Sequence, residues 1–399
     1  MIRTRVGSTS AFLLRPIWAL FVGLGALLGF AIAKNPRLWI FGNFKGFNDN
    51  SRYLFEYVAR EHQTVRAVWL ARDTRHRDEA RSAGYEAETI VSLKGLILAF
   101  RAKVAVIQNG SRDLNRAALP SQFVVHLWHG TPFKRILLDS NAESVRLPII
   151  GGILTRLGRA ALRASLQTMD MIVAPSAHVG SLLASAFRVD SDRVAVTGTP
   201  RTDIILRTAN SGAIGKPHRI LIAPTWRGST GQVELLPGFD ASAWDAMLAR
   251  VGAVLVLKLH PLMTDDIGGA VAGIDPTRVE HLPADLDVSP ILSDFSVVVT
   301  DYSGIAFDFA LLKRPIFFVC SDEAEYAKVW GLYRSMHEVV GEVLYTDFEA
   351  LRSPLERVLD QPVSYPMQVV ERLAGEDFLR YHDRENCARV LQEIIKRNV

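Results

Sequence analysis

The chain has 399 residues, 49% hydrophobic and 22% charged, with a mean hydropathy of +0.13, which excludes a disordered chain and supplies apolar material for two packed domains. Two cysteines, Cys320 and Cys387, are too few for a disulfide framework or a thiolate zinc site, and their scarcity fits a reducing compartment. The net charge of +4 is carried by basic residues spread along the chain, a pattern that points away from nucleic acid and toward an anionic membrane surface or an anionic substrate.

The first element is an uncharged stretch of 18 residues, Pro16 to Ala33, at the lower limit for a helix crossing about 30 Å of hydrocarbon. Arg3, Arg5 and Arg15 before it and Ala31-Ile32-Ala33 at its end also fit a cleaved secretory signal, and a buried core helix is a third reading. Gly25 and Gly29 form a small-xxx-small pair that would let another helix approach. Residues 1–36 are accordingly expected to be an apolar, membrane-associating helical segment.

Short apolar runs then alternate with amphipathic stretches, the signature of strand-helix-strand units around a parallel sheet. Strands are expected at Leu38–Phe41, Val65–Leu70, Val104–Gln108, Phe123–Leu127, Met171–Ala174 and Val194–Thr197. A second set is expected at Arg219–Ala223, Val254–Leu259, Val279–Leu282, Val297–Thr300 and Ile316–Val319. Between the sets, Arg207–His218 reads as a linker because of its Gly, Ser, Asn and Pro content, which gives lobes at 37–206 and 219–399, the latter ending in a helical tail from Glu371. One helix, Ile149–Gln167, sets Arg156, Arg159 and Arg163 on one face, either to lie on anionic lipid or simply to be solvated.

Five loops carry candidate chemistry. His129-Gly130 follows a strand on a tight turn, where backbone can approach a substrate and an imidazole can take a proton near neutral pH; the alternative is a histidine stacked on Trp128 while Gly130 merely turns the chain. Lys258 and His260 fall on one side of a strand's end by period-two alternation, a pair of cations suited to a diphosphate, with Pro261 stopping the ladder. Thr300-Asp301-Tyr302-Ser303-Gly304 feeds a helix whose first amides attract phosphate, with Asp308 one turn in; an ordinary cap and a solvated acid would look the same. Arg201 and the run Thr225-Trp226-Arg227 place guanidinium forks and a stacking surface after two more strands, although arginines there are often only solvated. Glycine-rich dinucleotide, P-loop, zincin and nucleophile-elbow motifs are all missing, and nothing indicates a metal or cofactor.

Taken in order, WHGTPFKR, GTPRTD, APTWRG, LKLHP and TDYSGIAFDFALLKRPIFF resemble the CDP-glycerol glycerophosphotransferase family of teichoic acid primases and polymerases. The early stretch Trp39–Val58 and the tail RYHDRENCARV resemble its shorter members. The resemblance implies an α/β fold of the GT-B type, with two Rossmann-like lobes: an acceptor lobe over 37–206 and a nucleotide-binding lobe over 219–399. It further implies that His129 and His260 are the catalytic pair, and that Gly130, Thr131, Pro132, Phe133, Arg201, Thr225, Trp226, Arg227, Lys258, Leu259, Ser303, Gly304 and Asp308 line the substrate site. Gly304 departs from the family pattern, where a second serine is common. The implied reaction moves glycerol phosphate from CDP-glycerol to a hydroxyl of a lipid-linked saccharide or polyol phosphate acceptor and releases CMP, on the cytoplasmic side of the cell membrane and without a cofactor. A GT-B glycosyltransferase using a nucleoside diphosphate sugar, or a non-catalytic nucleotide-binding assembly scaffold, are the competing readings.

Overall fold

The computed structural model describes residues 22–140, 151–209, 216–225, 227, 236–259 and 267–398. It contains two sheets, and every strand pairing described in them is parallel. The first sheet takes β1 (Asn35–Phe41), β2 (Arg66–Ala71), β3 (Ala87–Thr89), β4 (Ala102–Ile107), β5 (Phe123–His126), β6 (Met171–Ala174) and β7 (Val194–Val196) in the order β3-β2-β1-β4-β5-β6-β7. The second takes β8 (His218–Ala223), β9 (Ala253–Leu257), β10 (Val279–His281), β11 (Val297–Thr300), β12 (Ile316–Val319) and β13 (Leu344–Tyr345) in the order β10-β9-β8-β11-β12-β13. In both, strand order reverses around the first strand of the set, the point where open parallel sheets place their ligands beyond the strands' carboxyl ends.

Central strands are apolar on both faces because helices cover both, so they read as continuous Val, Ile, Leu and Phe runs. Ile40, Phe41, Val104 to Ile107 and Trp69 are fully buried in the first sheet, as are Ile220, Leu221, Val298 and Phe318 in the second. Two strands escaped the sequence reading, β3 and β13. At three and two residues, AET and LY, neither contains an apolar run, and each pairs on one side only. The strand expected over Val254–Leu259 ends two residues earlier, at Leu257, which leaves Lys258 and Leu259 in the following loop. The expected helical tail is two helices, Gln368–Leu373 and Asn386–Asn398, separated by irregular chain.

The chain divides into two compact units, residues 1–129, 164–173 and 391–399 in one and residues 130–163 and 174–390 in the other. In the first, residues 22–31 of the apolar N-terminal stretch are helical. The residues before them lie outside those described, and no helix among the described residues is long and apolar enough to cross a membrane. The arginine-bearing helix spans Gly151–Leu166; in the second unit, Arg159 Nη2 donates to the Leu138 carbonyl at 2.9 Å.

Candidate active site

Within the first unit, β5 ends at His126 and the chain turns through Trp128, whose φ of +57° is left-handed. A bulky residue there costs roughly 1–2 kcal/mol, so its surroundings must impose the turn. Both sides of Trp128 are held: its N–H donates to His126 Nδ1 at 3.1 Å, and its carbonyl accepts from Asn50 Nδ2 at 3.1 Å. His126 is fully buried, and burial depresses its pKa to about 3, so it stays neutral and keeps a nitrogen lone pair for that bond. The clamped turn puts His129 at the surface with its ring 4.2 Å from the Trp128 ring, tilted by 36°. The two rings are thus in contact but tilted, and the imidazole remains exposed.

Within the second unit, three of the motif blocks meet. Gly130 has φ +146°, and a Cβ there would stand 2.9 Å from Arg201 Nη2, so only glycine lets the backbone pass this close to the guanidinium. Arg201, near the start of the helix Pro200–Thr208, is buried and grips Asp308 with both arms, Nε to Oδ1 at 3.2 Å and Nη2 to Oδ2 at 2.9 Å. Two residues singled out separately in the sequence are therefore partners, and Arg201 spends its fork on a carboxylate. Thr131 and Phe133 are buried, Pro132 partly so, and the Phe133 ring lies 4.5 Å from that of Phe307. A Cβ at Gly304 would come within 2.9 Å of the Thr131 carbonyl oxygen, which gives the departure from serine a steric reason in this chain. Ser303 Oγ stands 3.5 Å from the Ile305 amide, at the outer limit of a hydrogen bond, and the helix it precedes, Ile305–Ala310, has only six residues.

A second cluster surrounds Thr225 and Arg227. Asp301, at the end of β11, accepts from the Thr225 backbone N–H at 2.9 Å and from Thr225 Oγ1 at 2.6 Å, and pairs with Arg227 Nη1 at 2.7 Å. Arg227 Nε also pairs with Asp322 at 2.8 Å, and its guanidinium lies over the stacked Tyr302 and Tyr326 rings, 4.9 and 5.1 Å from their centroids. Burial works against its charge, but Asp301 and Asp322 outweigh that and hold its pKa above the ordinary value. Tyr302 donates to Asp322 at 3.0 Å. A small cavity in this unit is lined by Thr225, Arg227, Thr300 and Asp301 among others. Lys134 lies over the Trp330 ring, and burial lowers its pKa, with Asp301 pulling the other way. Lys258 Nζ donates to the Ala284 carbonyl at 2.6 Å, and Leu259 follows it, half-buried. Trp226 and His260 lie outside the described residues.

Sequence reasoning passed over Asp301, Asp322 and Tyr302 as site residues. Asp301 had a signal, an acid at a strand's carboxyl end inside a motif. Asp322 had none, because it reaches Arg227 across 95 positions of sequence. His126 and Asn50 were missed for a similar reason: a buried histidine within a strand and an asparagine in a helix look structural until the turn they brace is seen.

Two all-parallel α/β sheets with polar loops at their carboxyl ends define a GT-B-like protein. The wall teichoic acid polymerase TagF superposes with a TM-score of 0.73 at 20% identity, covering 98% of this chain and 96% of that one. A UDP-bound Staphylococcus aureus MnaA gives 0.56 at 12% identity over 92% and 98% of the two chains. The chain belongs to the CDP-glycerol:poly(glycerophosphate) glycerophosphotransferase family, whose model matches residues 27–396. Among curated relatives, the teichoic acid glycerol-phosphate transferase of S. aureus is 27% identical over 384 residues, 91% of this chain and 94% of that one. The teichoic acid poly(glycerol phosphate) polymerase of Staphylococcus epidermidis is 25% identical over 347 residues; the match takes in 81% of this chain but only 46% of the polymerase.

Proposed function

We propose that this chain transfers glycerol phosphate from CDP-glycerol to a hydroxyl of a lipid-linked acceptor at the cytoplasmic face of a membrane. The acceptor oxygen attacks the phosphorus that bears the glycerol, an O–P bond forms, and the bond to the bridging oxygen breaks, so that CMP leaves with the electron pair. His129 takes the hydroxyl proton, and His260 is its catalytic partner on the diphosphate. Residues 37–206 are read as the acceptor lobe, 207–218 as the linker and 219–399 as the nucleotide lobe. The apolar N-terminal segment is read as the membrane-associating part.

The observation that carries this reading is the convergence of three family blocks in one unit: Gly130 against Arg201, Arg201 on Asp308, and Thr131 against Gly304. With Arg201 committed to Asp308, its part is to fix the loop that follows His129, and the backbone N–H groups of that loop and of the Ser303-Gly304 turn join His260 as donors for phosphate. Thr225 and Arg227, braced by Asp301 and Asp322, form the second wall of the donor site, and Trp226 and Lys258 are assigned to substrate binding from the family motifs.

The test is CMP release by the purified chain given CDP-glycerol, CDP-ribitol or UDP-sugars with a lipid acceptor analogue. CMP from CDP-glycerol is expected, and His129→Ala is expected to abolish it while CDP-glycerol still binds. Turnover of a UDP-sugar in place of CDP-glycerol, or full turnover by His129→Ala, would overturn the proposal.

A further inference from the structure

Among the described cations of the second unit's site loops, Arg201 is spent on Asp308, Arg227 on Asp301 and Asp322, and Lys258 on the Ala284 carbonyl. Lys134 differs from them. It is half-buried, and its Nζ has no hydrogen-bond or ion-pair partner among the described residues, resting instead over the Trp330 ring, 4.9 Å from the centroid. Burial lowers its pKa, Asp301 pulls the other way, and Arg227 lowers it again. The ammonium therefore feels the Thr225–Arg227–Asp301 cluster, yet Asp301 is already taken up by the Thr225 N–H and hydroxyl and by Arg227.

The seat of Lys134 is built by backbone on one side and aromatic rings on the other. Its backbone forms an antiparallel bridge with Leu332, flanked by the Arg135 N–H on the Gly331 carbonyl at 2.9 Å and the Tyr333 N–H on the Phe133 carbonyl at 3.0 Å. The Tyr333 hydroxyl donates to Asp139 at 3.0 Å and fastens the same loop further along. Trp330 follows the helix Glu323–Val329, one turn after Tyr326, whose carbonyl accepts its N–H at 2.8 Å. One helix end thus brings two aromatic rings within 6.4 Å of each other, Tyr326 under Arg227 and Trp330 under Lys134. Arg227 has two carboxylates besides; Lys134 has none among the described residues. An aromatic face holds an ammonium through its quadrupole and takes up no hydrogen bond in the ordinary sense, so the N–H groups turned away from the ring stay available. Upstream, the same loop packs on the Ser303-Gly304 turn, where a Cβ at Gly304 would stand 2.9 Å from the Thr131 carbonyl oxygen.

A half-buried ammonium without a counter-charge costs stability unless an anion arrives to complete it. We propose that Lys134, seated on Trp330, binds the diphosphate of the nucleotide donor. A lysine head is a compact point charge suited to phosphate oxygens, and a diphosphate has enough of them to take Lys134 together with the backbone N–H groups of the Ser303-Gly304 turn. The anion also offsets the repulsion between Lys134 and Arg227. The inference rests on the proposed reaction for the identity of the donor, but the demand for an anion at Lys134 does not.

The experiment titrates the full chain by calorimetry with CDP, UDP and inorganic pyrophosphate, and follows the thermal unfolding of each variant without ligand. In Lys134→Met, CDP and pyrophosphate are expected to bind at least tenfold more weakly. Its thermal midpoint is expected at or above that of the wild type, since an apolar side chain of similar length replaces an unpaired charge. Lys134→Arg, which keeps the charge, is expected to bind CDP within threefold of wild type, and Trp330→Leu to weaken CDP severalfold by releasing the ammonium. CDP affinity within twofold of wild type in Lys134→Met or in Trp330→Leu would overturn the proposal, as would Lys134→Arg binding as weakly as Lys134→Met. A midpoint several degrees lower in Lys134→Met would make the charge structural and overturn it too, and so would a wild-type chain that binds none of the three probes. A chain that prefers UDP to CDP, with the same loss in Lys134→Met, would refute CDP-glycerol as donor and leave this inference standing.

Discussion

Asp308→Asn probes the junction on which the candidate site depends. In the wild type the side chains of Arg201 and Asp308 are 10% and 13% exposed and are joined by two contacts at 3.2 and 2.9 Å. Removing one partner of a buried pair strands the other charge and typically costs about 3–5 kcal/mol. Asparagine keeps one acceptor oxygen, so the lower end, about 3 kcal/mol, is expected. At about 2–4 °C per kcal/mol for domains of this size, the thermal midpoint of the second unit falls by roughly 6–12 °C. Denaturant titration followed by circular dichroism measures the loss. The double replacement Arg201→Met with Asp308→Leu, which removes both charges and fills the volume, should lose much less than the sum of the single changes. A loss below about 1 kcal/mol for Asp308→Asn would show that solvent already screens the pair, and the argument that Arg201 is held as a positioning group would fail.

Gly304→Ala places a methyl 2.9 Å from the Thr131 carbonyl, and backbone yields little, so a cost of about 1–3 kcal/mol is expected together with a weaker affinity for CDP-glycerol; a stability unchanged or raised in denaturant titration would refute the steric account. His126 gives a pH signature: its folded pKa, about 3, lies below the unfolded value near 6.5, so between those values the unfolded chain binds the extra proton. Its contribution is whole above about pH 6.5 and drains as pH falls, at up to about 1.4 kcal/mol per unit. Comparing urea midpoints at pH 7 and pH 5, His126→Gln should lose about 2 kcal/mol less than wild type, and equal losses would refute the assignment.

The central strands were legible because parallel strands covered on both faces must be apolar throughout: Met171–Ala174, Val297–Thr300 and Ile316–Val319 were read to the residue. The edge strands Ala87–Thr89 and Leu344–Tyr345 were not, since a pairing of two or three residues is decided by the neighbouring strand rather than by their own side chains. Motif residues were likewise legible as kinds of chemistry at strand ends, because strand, turn and helix punctuation are local. Their partners were not. Nothing local says that Arg201 will close on Asp308 107 positions later, that Asp322 will brace Arg227, or that a histidine inside β5 will hold the turn before His129. The sequence by itself determined two parallel α/β sheets, an apolar amino-terminal stretch and the loops able to carry phosphate chemistry, because local periodicity and backbone preference set these. Only the tertiary structure decided which charges neutralise one another, why glycine stands at 304, and that Lys134 comes to rest on Trp330, because charge pairing and close approach depend on which distant segments the packed sheets bring within a few ångströms.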